Sequence, residues 1–192
     1  MIVISQGEFG KRVHSLLAEQ GIREASRATR YIGLVEIREA IFITDSLRPS
    51  LIANAFDNKT CSAAILCFLT SRGLYVSPWL SLAGPCFDCF QRRWFGNLSF
   101  WEHEPVFERY MEQLDQELGT RSFPVPHTVI NIAARFLMDR IGSTREVRSH
   151  YVDLLSGEIS SGLVMCVHGC KNGCHKNSGL RANLAEILAG RK

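Results

Sequence analysis

The chain has 192 residues, 46% of them apolar and 21% charged, with a net charge of +3. That is ordinary globular usage, enough for one domain with a real core and barely enough for two. The weak positive charge is spread out, which argues against nucleic acid, and the longest apolar run, Ala63 to Leu69, falls far short of the roughly 20 residues that cross a bilayer.

Charged and glycine residues arrive too early for a signal peptide, so a reducing, cytoplasmic location is expected. The chain opens with Met1-Ile-Val-Ile-Ser5, a short buried strand, followed by Gly7-Glu-Phe-Gly10 and a helix carrying Val13, Leu16 and Leu17 up to Gly21. Strand, glycine turn and helix begin a βαβ unit. A helix N-terminus after a strand can hold a phosphate. Here there are two glycines rather than a full dinucleotide fingerprint, Ser5 stands where the first would fall, and Glu8 opposes an anion. The plainer reading is a turn that needs glycine.

Ile41 to Thr44 reads as a second strand ending at Asp45, and residues 50–56 as a short helix. Ala63 to Leu69 is a buried strand, and Leu74 to Ser77 another after the turn at Arg72-Gly73. This alternation favours a mainly parallel sheet in an α/β fold. Residues 105–119 and 129–142 carry apolar side chains at helical spacing. Residues 147–152 and 162–167 resemble two strands turned by Ser156-Gly157, and residues 183–189 a last short helix. No repeat or linker divides the chain, so a single domain over 1–192 is expected.

Seven cysteines need an explanation where disulfides are disfavoured. Cys61 and Cys67 sit in apolar surroundings and read as small buried hydrophobes. Cys86-Phe-Asp-Cys89 and Cys170-Lys-Asn-Gly-Cys174 are different: a two-residue gap lets two thiolates face one point, and zinc takes four such ligands tetrahedrally. Glycines flank both pairs, in turns over 84–90 and 166–175. The metal ligands are therefore Cys86, Cys89, Cys170 and Cys174, with Cys166, His168 and His175 as spare candidates. Four thiolates leave no open position, so the zinc is structural. A thioredoxin-like redox role for the first pair is the competing reading; such a motif opens a helix and needs no distant partners. No nucleophile, general acid or general base stands out, so no catalytic residue is assigned. The basic, aromatic stretch from Phe90 through Trp94, Phe95, Phe100 and Trp101 is either core or an interface.

The segment Gly84-Pro-Cys-Phe-Asp-Cys-Phe-Gln-Arg-Arg-Trp94 resembles the zinc-binding turn of ThiF/E1-like subunits of thiazole- and oxazole-modified peptide synthetases, most nearly the microcin-type B subunit (McbB-like). The likeness runs on through Ser149-His-Tyr-Val-Asp153 and Cys166 to Cys174, over roughly residues 60–180. It implies an E1-like (ThiF/Rossmann-like) sheet with a zinc-bound C-terminal part. It further implies a non-catalytic zinc-binding scaffold subunit of a bacteriocin-type heterocyclase complex. The implied partners are a YcaO-type cyclodehydratase, a flavin-dependent dehydrogenase, the precursor peptide reached through the complex, and a second copy of the chain. The alternative is an active E1-like enzyme that adenylates a peptide C-terminus. Of the nucleotide-holding residues of such enzymes only Asp45 can be placed, and the chain starts at its first strand without the family's winged-helix module. The expectations are no adenylation and peptide recognition by a partner.

Overall fold

A computed structural model describes residues 1–22, 37–47, 52, 55–56, 61–70, 72–81, 84–97, 125–142, 148–167, 169–170, 172 and 174. The helices expected over 105–119 and 183–189, most of that over 50–56, and the side chains of Phe95, Phe100, Trp101, His168 and His175 lie outside the described residues.

Strand β1 (Ile2–Gln6) leads directly into helix α1 (Gly7–Glu19). Strands β2 (Ile37–Thr44), β3 (Cys61–Leu69), β4 (Gly73–Val76) and the short β5 (Leu80–Ser81) follow. Helix α2 is Phe87–Asn97 and helix α3 is His127–Gly142. Strands β6 (Arg148–Asp153) and β7 (Ile159–Leu163) close the sheet. The order is β1-β2-β3-β4-β6-β7, with β5 paired to β3 off that path.

Side chains alternate across the strands and build two cores. Ile41, Ile43, Ile65, Cys67, Leu74, Val76 and Val152 face α1 and α3, where they meet Phe9, Val13, Leu17, Ala133 and Leu137. Ala40, Phe42, Ala64, Leu66, Phe68 and Tyr75 face the other way, against Phe87 and Phe90 of α2. The sheet is therefore covered on both sides, the layering of an α/β fold. Cys61 and Cys67 are buried, as expected of small hydrophobes, and burial pushes the Cys61 thiol up to about 11.

Two expectations need correction. Among the described residues the sheet is parallel across β1, β2 and β3 and antiparallel in every later ladder. The cause is local: β3 and β4 are joined by a turn in which the Thr70 hydroxyl oxygen accepts from the Arg72 and Gly73 amides. So short a link cannot make a crossover, which takes a dozen residues or more. The last strand spans residues 159–163 rather than 162–167. It begins after a turn in which Asp153 accepts from the Leu155 and Ser156 amides and Gly157 takes φ +73°. It stops where Val164 turns inward beneath α2.

Candidate metal centre

Helix α2 opens at the first cysteine pair. Cys86 immediately precedes the helix and its carbonyl accepts from the Phe90 amide at 3.0 Å; Cys89 lies in the first turn. The sequence places this pair in a turn and leaves α2 unrecognised. Yet Phe87, Phe90 and Trp94 form an apolar stripe at helical spacing, and that stripe fixes the helix on the sheet. Phe90 is buried, and Trp94 packs edge-on to Tyr75 at 4.7 Å and Phe68 at 5.2 Å between ring centres. Of the two readings of the aromatic stretch, core is the one these two residues take.

With α2 seated, Cys86 and Cys89 point to one place, and the chain beyond β7 returns there with Cys170 and Cys174. All four are buried, and their sulfurs lie within 4.8 Å of one another. Cys86 Sγ is 3.7 Å from Cys89 Sγ and 3.4 Å from Cys170 Sγ, and Cys89 Sγ is 3.2 Å from Cys174 Sγ. These separations exceed a disulfide bond of about 2.05 Å. They approach the ~3.8 Å edge of a sulfur tetrahedron with 2.3 Å bonds to a central ion. Four buried sulfurs at that spacing can hold a metal ion. Cys166, a spare candidate, is half-buried against this cluster and outside the four.

The first pair does open a helix, so the feature that set it apart from a redox dithiol does not hold. What remains distinctive is the second pair, separated from the first by 84 and 85 positions, arriving at the same sulfurs.

Hydrogen-bond donors face two of the sulfurs, while burial works against charge on them. The Val167 amide donates to Cys89 Sγ at 3.2 Å and the Asn172 side-chain amide to Cys86 Sγ at 3.5 Å. Burial opposes charge on Cys86, but the hydrogen bonds from Asn172, the Cys89 amide and the neighbouring thiols outweigh it and draw that thiol down. Burial dominates at Cys89, pushed up to about 11, and at Cys174, whose thiol lies far above its ordinary value. Four close sulfurs cannot all ionise without a compensating cation. Metal binding must therefore release protons.

Asn172, Asp88 and Arg93 are contributors that sequence reasoning missed. Arg93 Nε donates to the Met165 carbonyl at 2.7 Å, and its NH2 reaches the Cys166 carbonyl at 3.5 Å, so α2 grips the segment leading to Cys170. Asp88 lies 3.6 Å from Cys170 Sγ and pairs with Arg92 at 3.2 Å. Asn172, inside the second cysteine turn, is the one a motif could have flagged.

The glycine turn has a different outcome. Asp45 reaches the start of α1, where its carboxylate accepts from the Glu8, Phe9 and Gly10 amides at 3.1, 3.0 and 3.4 Å. A Cβ on Gly7 would lie 2.1 Å from that carboxyl group, and one on Gly10 2.4 Å from the Ile43 carbonyl oxygen. Both glycines are thus required by close packing, and an internal carboxylate takes the donors that a phosphate would use.

His150 stacks on Phe136 with ring centres 4.7 Å apart, a structural placement. Among the described residues no helix is long and apolar enough to cross a membrane.

No family model and no curated protein matches the sequence. Solved structures do. A chain of the E. coli microcin synthetase McbBCD complex superposes with a TM-score of 0.59 at 12% identity, covering 88% of this chain and 67% of that one. A heterocyclase in complex with substrate and cofactor gives 0.58 at 16% identity, covering 89% of this chain and 24% of that one. E. coli MccB with MccA gives 0.54 at 14% identity, covering 91% and 66%. The chain thus spans about two thirds of the microcin proteins and a quarter of the heterocyclase. At this level of identity the likeness is one of fold, and that fold is McbB-like, related to the heterocyclases.

Proposed function

We propose that this chain is a non-catalytic, zinc-binding scaffold subunit of a complex that forms azoline or azole rings in a ribosomally made, bacteriocin-type peptide. Cys86, Cys89, Cys170 and Cys174 would hold one zinc ion, which supplies a cross-link and no open coordination position. The observation that carries the reading is the meeting of these four buried sulfurs, within 4.8 Å, on a fold shared with a microcin synthetase. In this reading residues 1–192 act as one domain in the cytoplasm. The chemistry belongs to a YcaO-type cyclodehydratase, with a flavin-dependent dehydrogenase for oxidation to the azole, and the precursor peptide is engaged through the complex.

The second reading, an E1-like enzyme that adenylates a peptide C-terminus, draws support from the strand–turn–helix opening and from Asp45 at the end of β2. The same Asp45 weighs against it, because its carboxylate sits on the amides that would receive a phosphate. Reconstitution separates the two. With ATP supplied, the purified chain and cyclodehydratase should together remove one water from the precursor peptide per ring formed, and omission of the chain should slow ring formation. Pyrophosphate exchange by the isolated chain would favour adenylation; ring formation at full rate without the chain would remove the scaffold role.

A further inference from the structure

We propose that the free edge of β7 pairs antiparallel with the β7 of a second copy, about a two-fold axis at Ser161. Among the described residues β7 is the last strand of the sheet, and all five of its residues are exposed. Among the described residues, every exposed large apolar side chain belongs to this hairpin or its exit: Leu154, Leu155 (82% exposed), Ile159 (56%), Leu163 (53%) and Met165. Concentration of apolar surface in one place marks an interaction site.

The usual safeguards on an edge are missing. β7 holds no proline, charge or bulge, and its register with β6 runs unbroken from Arg148 opposite Leu163 to Val152 opposite Ile159. The strand is also self-complementary. Pairing about Ser161 sets Ile159 against Leu163 of the copy, Ser160 against Gly162, and Ser161 against itself. Apolar meets apolar and small meets small, the self-matching that a two-fold contact requires.

Charge fits the same register. Glu158, exposed just before β7, comes level with Val164 of the copy, next to the Met165 carbonyl that Arg93 holds. Glu158 and Arg93 are both exposed, and among the described residues Arg93 meets no carboxylate. The axis creates this pair twice. A five-residue edge is small beside the ~800 Å² per partner of a standard interface, so the dimer is expected to depend on concentration.

Sedimentation equilibrium of wild type, Ser161→Lys and Ser161→Cys over a hundredfold concentration range tests this. The wild-type mass should move from one chain toward two. Ser161→Lys should stay monomeric with an unchanged melting temperature, because two ammonium groups would face each other at the axis. Under diamide, which takes the hydrogens of two thiols as the disulfide forms, Ser161→Cys should cross-link well above the wild-type background, and Ser160→Cys, facing Gly162 of the copy, should not. A wild type monomeric throughout, a dimer that Ser161→Lys leaves intact, or an edge that binds only extended peptide would overturn the proposal.

Discussion

With zinc bound as proposed, replacing Cys170 by Ser would remove one corner of the sulfur cluster and, with it, a cross-link between segments 84 positions apart. The chain-entropy relation for a cross-link closing such a loop gives about 4.5 kcal/mol. The net stability of a typical fold is only ~5–15 kcal/mol. For a domain of this size each kcal/mol moves the melting temperature by roughly 2–4 °C. The expected loss is therefore about 10–20 °C, with a larger loss where the metal leaves altogether, since structural zinc is worth ~10 kcal/mol or more in small domains. Thermal melts by circular dichroism, with and without a chelator, read this directly. The chelator should lower the wild-type transition and leave that of Cys170→Ser nearly in place. Cys166→Ser, outside the four, should melt within a few degrees of wild type. A Cys170→Ser variant that melts with the wild type, both untouched by the chelator, would refute the staple; a collapse caused by Cys166→Ser alone would show the wrong sulfur had been chosen.

Three further outcomes follow from named contacts. Arg93→Ala frees the Met165 and Cys166 carbonyls from α2 and should weaken zinc binding roughly 10–100-fold, the usual effect of losing a contact that orients ligands, with Lys restoring part of it; competition against a coloured chelator measures this, and unchanged affinity contradicts it. Asp45→Ala strips the carboxylate from three amides of α1 and should cost about 1–2 kcal/mol, as helix caps do, read as a lower melting temperature; equal stability would mean those hydrogen bonds carry no weight. The amides of Ser156 and Leu155, with the nearby Arg72, hold the Asp153 carboxyl below its ordinary range. A depressed carboxyl contributes its stability fully above the unfolded pKa and loses it as the pH falls through the folded one. The melting gap between wild type and Asp153→Asn should therefore be widest near neutrality and close in acid below about pH 4, and a gap that persists at pH 2 would contradict this.

Much of the site could be read from the sequence because ligand spacing is local: each cysteine pair lies within one short segment, and four cysteines in two pairs imply one ion. The glycine-flanked turn favours Cys170 and Cys174 over Cys166, and in the structure the sulfurs of Cys170 and Cys174 lie beside those of Cys86 and Cys89. Strands β1 and β3 are legible as apolar runs, and so is the Ile41–Thr44 half of β2; its first half carries Arg38 and Glu39 and has no such signal. Beyond them the pattern misled. β7 is exposed along its whole length and shows no hydrophobic alternation, whereas the apolar run after it, whose Val164 packs with α2, draws the expected strand to residues 162–167. α2 was hidden because its stripe of Phe87, Phe90 and Trp94 overlaps the cysteine motif and the arginine pair. Asp45 was seen as a strand end, but its contact with amides 35 to 37 positions earlier exists only once β1 and β2 lie side by side.

Elemental analysis of the purified chain, with native mass spectrometry to count ions per molecule, asks whether the two cysteine pairs hold zinc. One zinc per chain is expected in the wild type and in Cys166→Ser, and markedly less in Cys86→Ser and Cys170→Ser. A folded wild-type chain that carries no metal after purification and takes up none from added zinc would contradict it.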